Sequence, residues 1–279
     1  MKIAHISDTH FGTEDPAIVA ALSSTLHAIN PDLIVASGDF TMAARHREFR
    51  AAADFLKELP APVLAVPGNH DLPAHNLFER FFRPLRRYRR YIVPITCTEF
   101  VSPDAALLGM NSARSWGPSL NWSHGHLSRF QAEQADRFFR EHADVPFRAL
   151  VVHHPFSVPD DLTRFRTIRN GDAMLRVLAN NRVHTVLSGH LHRQYRVSQR
   201  VHLEGGHHDL TIAQVSTATS RRNRHHANGF VCLTTDSTGL DFANYYWNGA
   251  SFEPATSESP RNAHRTPVAS VQKHDSAVP

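Results

Sequence analysis

Ile3-Ala4-His5-Ile6-Ser7-Asp8-Thr9-His10 is a short apolar run that ends in a carboxylate and an imidazole two residues apart. Four further fragments repeat that form: Ser37-Gly38-Asp39, Pro67-Gly68-Asn69-His70-Asp71, Val152-His153-His154-Pro155 and Ser188-Gly189-His190-Leu191-His192. Each follows an apolar run, so each reads as a strand delivering polar groups at its C-terminal edge, where open α/β sheets place their sites. Helical apolar spacing lies between and beyond them, at Pro16–Ile29, Ala44–Leu59, Ser128–His142 and Gly171–Asn180. Strands separated by helices of this length imply right-handed crossovers and a parallel sheet. After Arg193 the apolar period changes to 2. The spacing there predicts one antiparallel meander over Tyr195–His202, Leu210–Val215, Phe230–Thr235 and Leu240–Trp247.

Carboxylates, one amide and several imidazoles with no thiolate form a donor set for divalent transition metals. Two such metals about 3.5–4 Å apart clamp an in-line attack on phosphorus. On a regular strand, Asp8 and His10 would point to one face. His190 and His192, also two apart, can aim one at each of two metals. His153 and His154 are adjacent and would point apart, so only one of them is expected to bind a metal. Gly38, lacking a Cβ, lets the backbone pass close to a metal cluster. His70 followed by Asp71 suggests an imidazole oriented by a carboxylate.

In this order, D-x-H, G-D, G-N-H-D, H-x-P and G-H-x-H resemble the calcineurin-like metallophosphoesterase family, over roughly residues 2–250. Within it they are most similar to the bacterial class III cyclic-nucleotide phosphodiesterases. The resemblance implies an α/β fold, a four-layer αββα sandwich of two mixed sheets flanked by helices. It implies Asp8, His10 and His192 on a first metal, Asn69, His153 and His190 on a second, and Asp39 bridging them. Mn²⁺, Fe²⁺/Fe³⁺ and Zn²⁺ all suit those ligands. His70 would serve the leaving oxygen and Asp71 would orient groups around it; His154 and Thr217 would lie near substrate.

The function implied is hydrolysis of a small phosphodiester, such as a cyclic nucleotide, by a metal-bridging hydroxide. The alternatives are a phosphomonoesterase or a lipid or nucleotide pyrophosphatase of the same family, and, in another class, a non-catalytic metal-binding scaffold. Met42 stands where purple acid phosphatases need a tyrosine ligand. His70 stands where lipid A precursor pyrophosphatases carry arginine.

The remaining features bound these expectations. With 279 residues, 41% of them hydrophobic, the chain can bury one sizeable core as a single domain over residues 1–250. No run of about 18 apolar residues exists to span a membrane. A cleaved leader would remove Asp8. The two cysteines, Cys97 and Cys232, sit in apolar runs and read as small buried hydrophobes, which favours a reducing cytoplasm. A net charge of +4 would suit a nucleic-acid binder or a mouth that attracts phosphate anions and decides neither by itself; nucleic acid is not expected as a partner. A second copy of the chain stays open as one.

Of the 21 histidines most cannot be ligands, and His124-Gly125-His126 reads as a loop before a helix. Leu77–Tyr91 combines clustered arginines with five aromatics. It reads either as a surface helix burying Phe78, Phe81 and Phe82, or as a rim whose Arg86 and Arg87 meet substrate phosphate. Failing that rim, specificity belongs near Asn111–Trp122. Residues 251–279, rich in Ser, Pro, Ala, Thr and His, read as a disordered tail.

Overall fold

The computed structural model describes residues 1–279 except 75, 117–122, 163–164, 222–225, 237–238 and 256–279. Its first part alternates strand and helix: β1 (Lys2–Ile6), α1 (Pro16–Ile29), β2 (Leu33–Ala36), α2 (His46–Lys57) and β3 (Val63–Ala65). Two short helices follow, α3 (Leu77–Phe82) and α4 (Arg86–Tyr91). Then come β4 (Glu99–Val101), β5 (Ala105–Gly109), α5 (Arg129–Glu141), β6 (Phe147–Val151), α6 (Gly171–Asn180) and β7 (Thr185–Ser188). The chain ends with β8 (Tyr195–Leu203), β9 (Gly206–Gln214), β10 (Gly229–Asp236), β11 (Gly239–Trp247) and β12 (Phe252–Pro254). Helix starts follow local chemistry. Asp15 accepts the Ala17 N–H ahead of Pro16, and Ser128 with Gln131 closes a reciprocal cap on α5.

The strands form two six-stranded sheets. Sheet 1 has the order β12-β11-β10-β1-β2-β3 and sheet 2 the order β4-β5-β6-β7-β9-β8. Pairing is parallel along β1-β2-β3 and along β5-β6-β7-β9 and antiparallel elsewhere, so both sheets are mixed. Residue parity sorts each strand between layers. Ile3, Leu33 and Val35 of sheet 1 meet Leu107, Ala149, Val151 and Leu187 of sheet 2 in a shared middle core. Ala4, Ile6 and Ile34 face outward to Leu22, Leu26, Phe49 and Leu56 of α1 and α2. On the other side Leu108, Leu150 and Val186 face Phe139, Met174 and Leu178 of α5 and α6. The expected four-layer αββα sandwich is therefore the fold. Each fully buried Leu, Ile, Val or Phe contributes about 1.5–3 kcal/mol, which makes the apolar side chains of the middle layer the chief bond between the sheets.

The predicted meander is corrected. β8 and β9 form one hairpin on sheet 2, while β10, β11 and β12 belong to sheet 1, with β10 antiparallel to β1. Between the two sets the chain crosses the end of β1, where the Ala218 N–H donates to Ser7 O. Period-2 spacing fixes which side chains are buried but not which sheet receives the strand. The expected boundary after residue 250 also moves, because Phe252 is buried and β12 pairs with β11. Residues 256–279 of the expected tail lie outside the described residues.

The reading of Leu77–Tyr91 as a surface helix that buries phenylalanines is inverted. The helix breaks around Pro84, and Phe78 and Phe82 are 72% and 71% exposed while Arg80 is 2% exposed. Arg80 donates to the carbonyls of Leu72, Pro73 and Arg114, tying the segment after Asp71 to the rest of the fold.

Candidate metal centre

All five quoted fragments converge where the C-terminal ends of β1, β2, β3, β6 and β7 meet. The chain does not arrive there as regular strand. Asp8, His10, Asp39, His190 and His192 have φ between 46° and 77°, in the left-handed region that non-glycine residues seldom adopt. The expectation that a regular strand aims Asp8 and His10 is therefore corrected; the left-handed turns beyond β1 do so. Such backbone costs of order 1–3 kcal/mol per residue and persists only where the surroundings over-determine it. Here they do: Asp8 N–H bonds Gly38 O, His10 N–H bonds Asp39 O, and Thr217 and Thr219 hydroxyls donate to Asp8 O and Thr9 O at 2.6 and 2.8 Å.

Within the site the seven expected ligands come together. His10 and His192 Nε2 lie 3.0 Å apart, and Asp8 Oδ1 is 3.2 Å from His192 Nε2 and 3.6 Å from His10 Nε2. On the other side, His190 Nδ1 is 3.0 Å from Asn69 Oδ1 and 3.3 Å from His153 Nε2. Asp39 Oδ2 reaches toward both groups, 3.3 Å from His153 Nε2 and 3.8 Å from His10 Nε2.

Each carboxylate divides its work. Asp8 Oδ2 accepts the His190 N–H and Asp39 Oδ1 accepts the His70 N–H. Their second oxygens thus face the imidazoles, and Asp8 Oδ1 is buried without a hydrogen-bond donor.

One loop sets the imidazole tautomers. Nδ1–H of His153, His10 and His70 donates to the carbonyls of Ser37, Thr41 and Met42 at 2.8, 3.3 and 2.8 Å. Each ring is thereby turned so that Nε2 points inward, the arrangement that orients metal-binding histidines. Backbone carbonyls leave no trace in a side-chain motif, so sequence reasoning missed them.

The electrostatics ask for positive charge. Burial alone would lower the His153 pKa, but the Asp39 carboxylate outweighs it and raises it to about 9. Burial opposes ionisation of Asp8 and Asp39 too, yet the surrounding histidines hold both well below the usual carboxylate range. Burial and then His153 push His190 down to about 3. A buried pair of carboxylates that draws a proton onto one imidazole and leaves an Oδ1 unmet, among hard oxygen and borderline nitrogen donors, fits divalent cations.

Other expected site residues land elsewhere. Asp71 does not touch the His70 ring. It is fully buried and accepts N–H bonds from Gly68, Thr41 and Phe40, binding the loops after β2 and β3 together. Burial, then the Asp39 charge, raises its pKa to about 7. His154, expected at substrate, is 1% exposed; Ser112 Oγ holds its Nδ1 at 2.8 Å, and its Nε2 sits with His153 and His190. Thr217 is buried and clamps Asp8 rather than facing the opening. Arg86 and Arg87 both bind the buried Glu79, and Arg87 also donates to Ala44 O. Neither arginine lines the cavity. That cavity, of about 100 Å³, is bounded by Asp39, Asn69, His70, Ser123, Phe165, His190 and His192.

The chain matches the profile of the calcineurin-like phosphoesterase family over residues 1–194. It is 28% identical to the glycerophosphodiester phosphodiesterase GpdQ of Enterobacter lignolyticus over 240 residues, 78% of this chain and 75% of that protein. It is 29% identical to the 3',5'-cyclic adenosine monophosphate phosphodiesterase CpdA of Escherichia coli over 212 residues, 70% of each. Among solved structures, a dimetal phosphatase from Danio rerio shares the fold with a TM-score of 0.56 at 14% identity, covering 88% of this chain and 95% of that one.

Proposed function

Because the chain belongs to the calcineurin-like phosphoesterase family, we propose that it is a dinuclear-metal phosphodiesterase acting on a small diester such as a cyclic nucleotide. Asp8, His10 and His192 would hold one ion, Asn69, His153 and His190 the other, and Asp39 would serve both. The observation that carries the reading is the pair of carboxylate oxygens, Asp39 Oδ2 and Asp8 Oδ1, aimed at the imidazoles of His153 and His10, whose outer nitrogens are tied to Ser37 and Thr41. The activities printed for GpdQ and CpdA support the diester class. Two divalent ions in such a site supply an acidified water and neutralise phosphoryl charge.

The chain's own residues do the rest. Met42 O fixes the His70 ring so that Nε2 faces the cavity and can give a proton to the departing oxygen. Asp71 keeps the loops that carry Asp39 and His70 in register. Ser123 and Phe165 bound the space for the ester arm. Manganese, iron and zinc all suit these donors. Two free cysteines accord with a cytoplasmic setting.

The test is turnover by chain loaded in turn with Mn²⁺, Fe²⁺ and Zn²⁺, against cyclic nucleotides, glycerophosphodiesters, phosphomonoesters and nucleotide pyrophosphates. Hydrolysis of at least one diester class, abolished by chelation and restored by metal, is expected. Turnover confined to monoesters or pyrophosphates would overturn the diester assignment, and metal binding with no turnover would make the chain a scaffold.

A further inference from the structure

Helix α3 wears its amphipathicity inside out. Its charged residues, Glu79 and Arg80, are buried, while Leu77, Phe78, Phe81 and Phe82 are 42–72% exposed. The spacing i, i+1, i+4, i+5 sets those four on one face of the helix, and the Phe78 and Phe82 rings rest on each other with centroids 4.8 Å apart. Trp116, also exposed, stands two residues beyond the Arg114 carbonyl that Arg80 holds at 3.3 Å.

The inner face locks this ridge in place. Arg80 donates to the Leu72, Pro73 and Arg114 carbonyls, and Glu79 holds Arg86 and Arg87 of α4. Turning the phenylalanines inward would break every one of those bonds and strand a buried carboxylate. Leu72 and Pro73 follow directly on His70 and Asp71, so the ridge is tethered beside the cavity that His70 lines. A contiguous apolar surface held rigidly in water marks a place where something else covers it.

Charge says what covers it. Residues 72–98 hold six arginines and one carboxylate, Glu79, a net +5 where the whole chain carries +4. The positive balance of the protein thus resides in this strap. Arg83 follows Phe82 directly, the bond to Glu79 keeps the half-exposed Arg86 against α3, and Arg89 and Arg90 are exposed on α4. A second copy in a two-fold contact would set this charge against itself. Single-stranded nucleic acid wants separate ring faces on which bases stack, whereas here aliphatic and aromatic side chains form one packed ridge. Arginines flanking a Leu/Phe surface match a bilayer with anionic headgroups, which offers acyl chains to the ridge and phosphates to the guanidiniums.

We propose that α3 and α4 form a membrane-docking face, on which Leu77, Phe78, Phe81 and Phe82 enter the headgroup–acyl boundary of an anionic lipid surface and the exposed arginines hold its phosphates. The protein then binds reversibly at the membrane surface, with its metal centre beside the lipid.

The test is co-sedimentation of the full chain with vesicles of phosphatidylcholine alone or with about a third phosphatidylglycerol. Affinity for the anionic vesicles should be about tenfold higher or more, and should fall with added salt. Phe78→Ser/Phe82→Ser should lose about tenfold or more on anionic vesicles, and Arg83→Glu/Arg89→Glu/Arg90→Glu should reduce binding there to the level on neutral ones. These side chains are exposed, so both variants should melt like wild type. In an otherwise intact chain, Phe78→Trp should add fluorescence that brominated lipid quenches. Wild type that ignores anionic vesicles, or binding that the phenylalanine variant keeps intact, overturns the docking face. So does binding to a single-stranded oligonucleotide with none to vesicles, or a dimer in place of vesicle binding that Phe78→Ser/Phe82→Ser dissolves. Turnover does not enter the measurement, so its outcome is independent of the phosphodiesterase reading.

Discussion

The two sheets contribute unequally to the same cradle. Sheet 1 supplies both carboxylates, Asp8 and Asp39, and the loop after β2 whose carbonyls at Ser37, Thr41 and Met42 aim imidazoles from both sheets. Asp8 also grips the backbone of His190 across the gap. Sheet 2 supplies His153, His190 and His192, of which His153 Nδ1–H and His190 N–H donate to the acceptors that sheet 1 presents. Sheet 1 is therefore the organiser, and a lesion there should reach both metals, whereas one in sheet 2 should stay local.

The largest effect tests that directly. Asp39→Ala removes the oxygen facing both groups and should abolish turnover, a loss on the order of 10⁴-fold or more, with metal content falling at both positions. His190→Ala should leave one ion bound. Metal analysis on the two variants decides; an Asp39→Ala chain that kept two tightly held ions would break the comparison.

Next comes His70→Ala, which should keep both metals and lose about 10²–10⁴-fold in rate, the range for a missing proton donor. Aryl esters, whose leaving groups need no proton, should lose least. Equal losses on alkyl and aryl diesters would remove His70 from that role.

The ligand letters were legible because each stands at the end of an apolar run, and the burial parity of Ile3, Leu33 and Leu187 follows from the same spacing. The geometry was not. Asp8 and His10 share a side through left-handed turns, which depend on long-range bonds to Gly38, Asp39 and Thr217 rather than on neighbours in the chain. Arginine density misled for a related reason. The strap at 77–91 is crowded with arginines, but Glu79 and backbone carbonyls occupy Arg80, Arg86 and Arg87, and none of these lines the cavity. Pairing is a property of the fold, and composition does not record it.

Two supporting hydroxyls sharpen the contrast at a smaller scale. Thr217→Val removes the bond to Asp8 O and should weaken metal affinity about 10–100-fold, as loss of an orienting partner does. Ser112→Ala, on the sheet 2 side, frees His154 Nδ1 and the His154 N–H and should affect the second metal alone. Equal effects of the two on both metals would show that the sheets share the organising role.

Acidity gives a further, gentler probe. With its pKa raised to about 9 by Asp39, His153 must shed a proton when a cation binds. Affinity at the second position should therefore rise with pH, by about tenfold per unit for a single released proton, and level off near 9. Calorimetry in buffers of different ionisation enthalpy counts that proton. A count of zero at pH 7 would mean that His153 is already neutral and that sheet 1 does not control its charge.

The smallest effect on turnover belongs to the far edge of sheet 1. β12 adds only Phe252–Pro254, yet the Phe252 ring packs on Phe230 and Trp247 with centroids 5.5 and 5.7 Å away. Phe230 lies on β10, the strand beside β1, so the edge supports the organiser through one intermediate strand. Ending the chain at residue 255 should leave melting temperature and kcat unchanged. Ending it at 250 removes Phe252 as well and should cost about 3–5 kcal/mol, the range for deleting a buried phenylalanine, with little change in kcat at temperatures where the fold persists. Should the shorter chain melt like the longer one, β12 contributes nothing to sheet 1, and the organiser's stability comes from α1, α2 and the middle core alone.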